Sequence, residues 1–193
     1  MFERIKETLD GLERRILPEE NLKPSAVLVP LFLKDGEIHL LMGRRTDLVL
    51  WHKRQISYPG GVCDPEDSDA TSTALREAWE EVGLDPKDVT VLGLLGDIET
   101  VTGFLVTPVV GRIPYPYPFR LSPVEVQELL EVPWSVFSER KGHRRETAEH
   151  GGRTFEVDFY QYGEDTIWGA TARITRQLVE LIEPSTKTPV EEV

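Results

Sequence analysis

Cysteine is nearly absent: Cys63 stands alone in 193 residues. One thiol excludes an internal disulfide and fits a reducing compartment, so a cytoplasmic protein is expected. Cys63 itself reads as a passive thiol. Long apolar runs are missing as well, which argues against a membrane span. Residues 1–17 hold no continuous apolar core and do not read as a signal peptide. Positive charge is scarce, with 22 Lys and Arg against 34 Asp and Glu, a formal net charge of −12. No basic stripe is present, so nucleic acid is not expected as a partner. A phosphorylated small molecule stays open as a substrate, because bound metal inverts the local field. No internal repeat is visible. What is present, 39% hydrophobic and 29% charged residues, is ordinary for one compact enzyme domain.

The periodicity places the elements. Phe2, Ile5, Leu9, Leu12 and Ile16 recur every three or four residues, predicting an amphipathic helix over residues 1–17 that Pro18 ends. Core packing and a homodimer contact are both open for it; its mixed-charge polar face disfavours a membrane surface. Ala26–Leu33 reads as a buried strand, Lys34-Asp35-Gly36-Glu37 as a hairpin turn, and Ile38–Met42 as the returning strand. Val89–Leu95, Ile98–Val101 and Phe104–Val110 read as strands, with Pro108 implying an edge or a bulge. The aromatics of Pro114–Phe119 either stack on a ligand or pack over the core. Ser122-Pro123-Val124-Glu125 carries helix-start chemistry, predicting a helix through Leu130. Phe155–Tyr160 alternates as a strand, preceded by a polar loop in which His143 and His150 read as surface residues. Trp168–Ile182 predicts a final helix, and the Pro, Thr and Glu-rich residues 184–193 a disordered tail.

The most informative stretch runs from Gly60 to Leu84. A Gly-Gly pair lets backbone approach a ligand closely. An acidic loop comes next, then a helix that Asp67, Ser68 or Asp69 can cap and Gly83 can stop. On that helix Leu75, Ala78, Trp79 and Val82 fall on one face, and Glu77, Glu80 and Glu81 on the other. Like charges at this spacing cost roughly 0.2–0.5 kcal/mol per pair in an isolated helix. A solvated acidic face tolerates that cost; a hard cation such as Mg²⁺ removes it.

The segment resembles the Nudix box, G-x5-E-x7-R-E-U-x-E-E-x-G-U, where U is aliphatic. Arg76, Glu77, Glu80, Glu81, Gly83 and Leu84 match its second half, with Ala78 at a U position. Fourteen residues rather than thirteen separate Gly61 from Arg76, and Asp67 stands near the first Glu. That longer box is similar to the coenzyme A diphosphatase branch. Leu41, Arg45, Pro59, Gly60 and Gly61 match part of that branch's upstream signature, while Met42, Gly43, Thr46, Leu50 and Arg54 depart from it.

The resemblance implies an α/β/α sandwich with a mixed β-sheet, and the irregular order of helices and strands implies the same. It implies Mg²⁺ or Mn²⁺ on Glu77, Glu80 and Glu81, with Arg76 orienting the glutamates. The catalytic base is then Glu81, Glu77 or Glu125. Arg44, Arg45 and Arg54 are candidates to grip substrate phosphate, and Gly60 and Gly61 to bring backbone beside it. Cleavage of coenzyme A or its thioesters is the expected reaction. ADP-ribose or another nucleoside diphosphate derivative is the rival substrate, and a non-catalytic nucleotide-binding module the rival class.

Overall fold

The computed structural model describes residues 1–47 and 55–183. Leu50, Lys53, Arg54 and the tail 184–193 lie outside the described residues.

Two strands set the architecture. β1 (Lys23–Lys34) and β2 (Glu37–Arg45) form the expected hairpin, closing on the pair Lys34–Glu37. Its two-residue turn puts Asp35 and Gly36 at φ 51° and 83°, the mirror-image turn that matches strand twist. β1 is buried on both faces, and so reads as a continuous apolar run. Val29 and Leu31 point to one layer, Leu28 and Phe32 to the other.

The main sheet runs β3 (Ile56–Ser57), β2, β1, β7 (Phe104–Arg112), β5 (Thr90–Leu94). β4 (Gly60–Val62) pairs with β1, β6 (Ile98–Glu99) with β7, and β8 (Val126–Pro133) with β2. β1 and β7 are parallel and the other pairings antiparallel, so the sheet is mixed. Helix α2 (Ala70–Val82) packs on one face through Ala74, Ala78 and Val82. On the other lie α1 (Phe2–Asp10) and α4 (Gly169–Ile182), with Ile5, Leu9, Ile174, Leu178 and Ile182 in the core. This is the α/β/α sandwich expected. A second, antiparallel sheet joins β9 (Arg144–His150), β10 (Arg153–Tyr162) and β11 (Asp165–Trp168). The four-residue helix α3 (Ser135–Ser138) precedes it.

Four expectations are corrected. The first helix stops at Asp10, since Gly11 ends it and Asp97 captures the chain beyond: Arg14 donates to Asp97 (2.6 Å), as does the Leu17 N–H (3.0 Å). Ile16 is left exposed. Residues 123–125 form only a turn, and 126–133 become β8, because Val126, Leu130 and Val132 share parity and bury against the sheet. Pro108 sits in an interior strand at a bulge, one of the two alternatives expected: between the pairs Leu94–Val109 and Ile98–Val106, residues 95–97 face only residues 107–108, and the Pro108 carbonyl accepts from the Leu95 N–H at 2.9 Å. The polar loop before β10 includes the edge strand β9, whose charges suit an edge. His143 is no surface residue: it bonds the buried Asp158 (2.9 Å) and stacks on Tyr160. The aromatics of 115–119 pack over the core, Tyr115 stacking on Phe32 with centroids 4.5 Å apart.

Candidate active site

α2 is firmly defined at both ends. Asp69 accepts from the Ser72 N–H (2.8 Å) while Ser72 Oγ accepts from the Asp69 N–H (3.0 Å), a reciprocal capping box. Gly83, at φ 71°, closes the far end in the left-handed conformation. The loop 114–122 then returns to that end: the Arg120 N–H donates to the Val82 carbonyl and the Ser122 N–H to the Glu81 carbonyl, at 2.9 and 2.8 Å. These bonds bring Glu125 beside α2, where the Thr46 N–H donates to its carbonyl.

The helix is rotated from the expected facing. Trp79 is half exposed, whereas Glu81 is 5% exposed and buried with Ala78 and Val82. Small residues at 74 and 78 let α2 approach β1 and β4 closely, and that carries the Glu77 and Glu81 side of the helix inward. Glu77 is largely buried and Glu80 half exposed.

Arg76 ties the box together. Its guanidinium donates to Asp67 twice (2.9 and 3.1 Å), to Glu77 (2.9 Å), to Glu80 (3.3 Å) and to the Val62 carbonyl (3.1 Å). Asp67 also accepts from Thr73 Oγ1 and the Asp64 N–H. The Arg76 bonds hold the Asp67 carboxyl well below the usual carboxylate range. Asp67 thus anchors the loop to the helix, a task for which its spacing to Arg76 was the only sign in the sequence.

Gly60 and Gly61 lie on β4 facing α2. A Cβ on Gly60 would meet β1 backbone, 2.6 Å from Val27 Cα. A Cβ on Gly61 would lie 2.6 Å from Glu77 Cδ. The glycines therefore make room for strand pairing at 60 and for a carboxylate at 61.

The charge balance at Glu81 is unusual. Burial pushes its carboxyl up to about 8, opposed by Arg45 and by the Gly60 N–H, and reinforced by Glu125 and Glu77. Burial also raises Glu77, against the pull of Arg76. Arg45 Nη1 stands 3.8 Å from Glu81 Oε1, and its own buried Nε has no hydrogen-bond partner among the described residues. Arg44 is engaged elsewhere, by Glu128 (2.5 Å) and Asp165 (2.8 Å). Of the candidate residues the structure gathers Glu77, Glu81, Glu125, Arg45, Gly60 and Gly61, with Arg76 and Glu80 at the outer edge. Arg54 lies outside the described residues.

Among the described residues no three His, Cys, Asp or Glu side chains already converge as a metal cage. The donor chemistry nevertheless fits a hard divalent cation. The negative charges of Glu125 and Glu77 bear on the buried Glu81 carboxyl, with Arg45 at 3.8 Å opposing them, so the local need is for positive charge.

A profile of the NUDIX domain matches residues 22–140, more than half of the chain. The chain belongs to the Nudix family. Over 164 residues it is 37% identical to a protein of Photorhabdus laumondii named uncharacterized Nudix hydrolase NudL, covering 85% of this chain and 87% of that one. The NudL protein of Escherichia coli K12 is 36% identical over 169 residues, 82% of each. Among solved structures, a MutT/nudix family protein from Enterococcus faecalis superposes with a TM-score of 0.52 at 15% identity, covering 86% of this chain and 70% of that one. RenU, a Nudix hydrolase from M. smegmatis, gives 0.51 at 18% identity, covering 61% and 74%. At such identities these structures support the Nudix fold alone. No helix among the described residues is long and apolar enough to cross a membrane.

Proposed function

We propose that this Nudix protein is a divalent-metal-dependent hydrolase of nucleoside diphosphate derivatives, and that coenzyme A or its thioesters are its substrates. The products would be 3′,5′-ADP and 4′-phosphopantetheine. The observation that carries the hydrolase reading is Glu81: a buried carboxylate facing Glu77 and Glu125, beside the Gly60–Gly61 backbone. A binding module has no need of such a group.

Glu77, Glu80 and Glu81 would hold Mg²⁺ or Mn²⁺, which would neutralise diphosphate oxygens and stabilise the leaving phosphate. Water adds to phosphorus, the bridging P–O bond breaks, and a carboxylate takes the water's proton. Glu81, Glu77 and Glu125 are the candidate bases. Arg76 acts through the others, fixing Glu77 and Glu80 by direct bonds. Gly61 leaves Glu77 its place, and Gly60 donates its N–H to Glu81. Arg45 offsets part of the Glu81 charge, and its Nε–H is a donor available to a phosphate oxygen.

The coenzyme A assignment rests on the longer box and on Leu41, Arg45, Pro59, Gly60 and Gly61. One observation favours ADP-ribose or another nucleoside diphosphate derivative instead: Arg44, a candidate for a further phosphate, is held by Glu128 and Asp165. A substrate panel with products identified by mass separates the two. Coenzyme A should yield 3′,5′-ADP, and loss of its 3′-phosphate should weaken the reaction. ADP-ribose turned over far better than coenzyme A would overturn the assignment.

A further inference from the structure

Away from the glutamates, a cleft of about 290 Å³ opens between α4, the residues joining β5 to β6, and the segment following α1. Arg15, Arg173, Arg176 and Gln177 line it, with Asp97 and Glu180. Arg173 and Arg176 stand three residues apart, on one face of α4, a spacing at which like charges repel.

The nearby carboxylates are already committed. Asp97 serves Arg14, the Leu17 N–H and Thr107. Asp158 serves His143, Arg145 and Arg176. Glu180 serves Arg140 and Arg176. Among the described residues Arg15 and Arg173 form no ion pair; the one hydrogen bond of the Arg173 side chain goes from Nη1 to the Glu99 backbone oxygen, at 3.4 Å. Burial first, then Arg176 and Arg15, hold the half-buried Arg173 below the usual arginine range, against the pull of the Asp158 and Glu99 carboxylates. The chain as a whole carries −12, yet this cleft gathers three arginines, of which only Arg176 is ion-paired among the described residues.

We infer that the cleft is a binding site for the phosphate group of a small molecule, gripped by Arg15 and Arg173 with Arg176 behind them. Planar guanidinium forks match phosphate oxygens two at a time, and Arg176 is already oriented by Asp158 and Glu180. Arg15 is set at the rim by its own backbone, whose carbonyl accepts from the Asp97 N–H at 2.8 Å. No lining residue belongs to the carboxylate site, so the inference stands apart from the hydrolase reading.

The test is calorimetric titration of the full chain with orthophosphate and, separately, adenosine 5′-monophosphate. Chelator is present throughout and ionic strength is held constant. Without metal the glutamate site presents phosphate with negative charge. Saturable binding is expected, weakened about tenfold by Arg15→Gln or Arg173→Gln, the worth of one charge-assisted contact. Arg15 is on an exposed segment, so its variant keeps the fold if Arg173→Gln does not. Arg45→Gln should leave binding unchanged. Tighter binding of the monophosphate would assign a phosphate ester, and equal binding free phosphate. No saturable heat with either ligand, binding that survives both substitutions, or binding lost with Arg45→Gln would overturn the site.

Discussion

Glu81 is the residue on which chemistry and stability pull in opposite directions. Its folded carboxyl is raised from an ordinary 4.5 to about 8, so the folded state holds a proton that the unfolded chain has released. Metal-free stability is therefore highest below about pH 4.5 as far as this group is concerned, falls as pH rises, and levels off above about 8. The cost at high pH is of the order of a few kcal/mol. Glu81→Gln should remove it, raising the metal-free melting temperature at pH 8 and flattening its pH dependence. A variant that melts at or below wild type at that pH would contradict the burial argument. The two glycines separate in the same way. Gly61→Ala drives a methyl against a movable carboxylate, so turnover should fall with little change in melting. Gly60→Ala drives it against β1 backbone, so melting itself should fall. Equal melting losses for both would show that Glu77 is not free to yield.

At the scale of the element, α2 is written almost completely in local sequence. Asp69→Ala removes the cap of a reciprocal box, and should cost about 1 kcal/mol by denaturant midpoint while leaving the site chemistry intact. An unchanged midpoint would show that loop 114–122 alone holds the helix. The cap, the Gly83 stop and the β1–β2 turn were legible because each depends on neighbours only. The facing of α2 was not: periodicity grouped Trp79 with the core, but close approach to β1 and β4 favours the side that carries Ala74 and Ala78, and Glu81 goes in with them. β8 was hidden for a related reason. Ser122 and Pro123 start a turn as a helix would, and only pairing with β2 makes residues 126–133 a strand. β9 carries charge along its length and no local strand signal at all.

Across the whole molecule the sandwich follows from strands buried on two faces, and the mixed order of elements announced it. The ion-pair network around Asp158 was invisible, since it joins α4 to the second sheet across long separations. The net charge of −12 adds a long-range term to function. An anionic substrate approaches against it, so adding salt at low ionic strength should lower KM by screening that repulsion. A KM that rises with salt would mean that local arginines govern the encounter. The hydrolase reading stands on the carboxylates of α2 holding the metal that cleaves a diphosphate. Turnover of coenzyme A by wild type, Glu80→Gln and Glu81→Gln with saturating Mg²⁺, each alongside a sample in excess chelator, probes that directly. Chelator should abolish the wild-type reaction, and each substitution should lower the rate about a hundred-fold or more, the equivalent of several kcal/mol of transition-state stabilisation. Variants that keep the wild-type rate, or full turnover in chelator, would contradict the metal-site assignment.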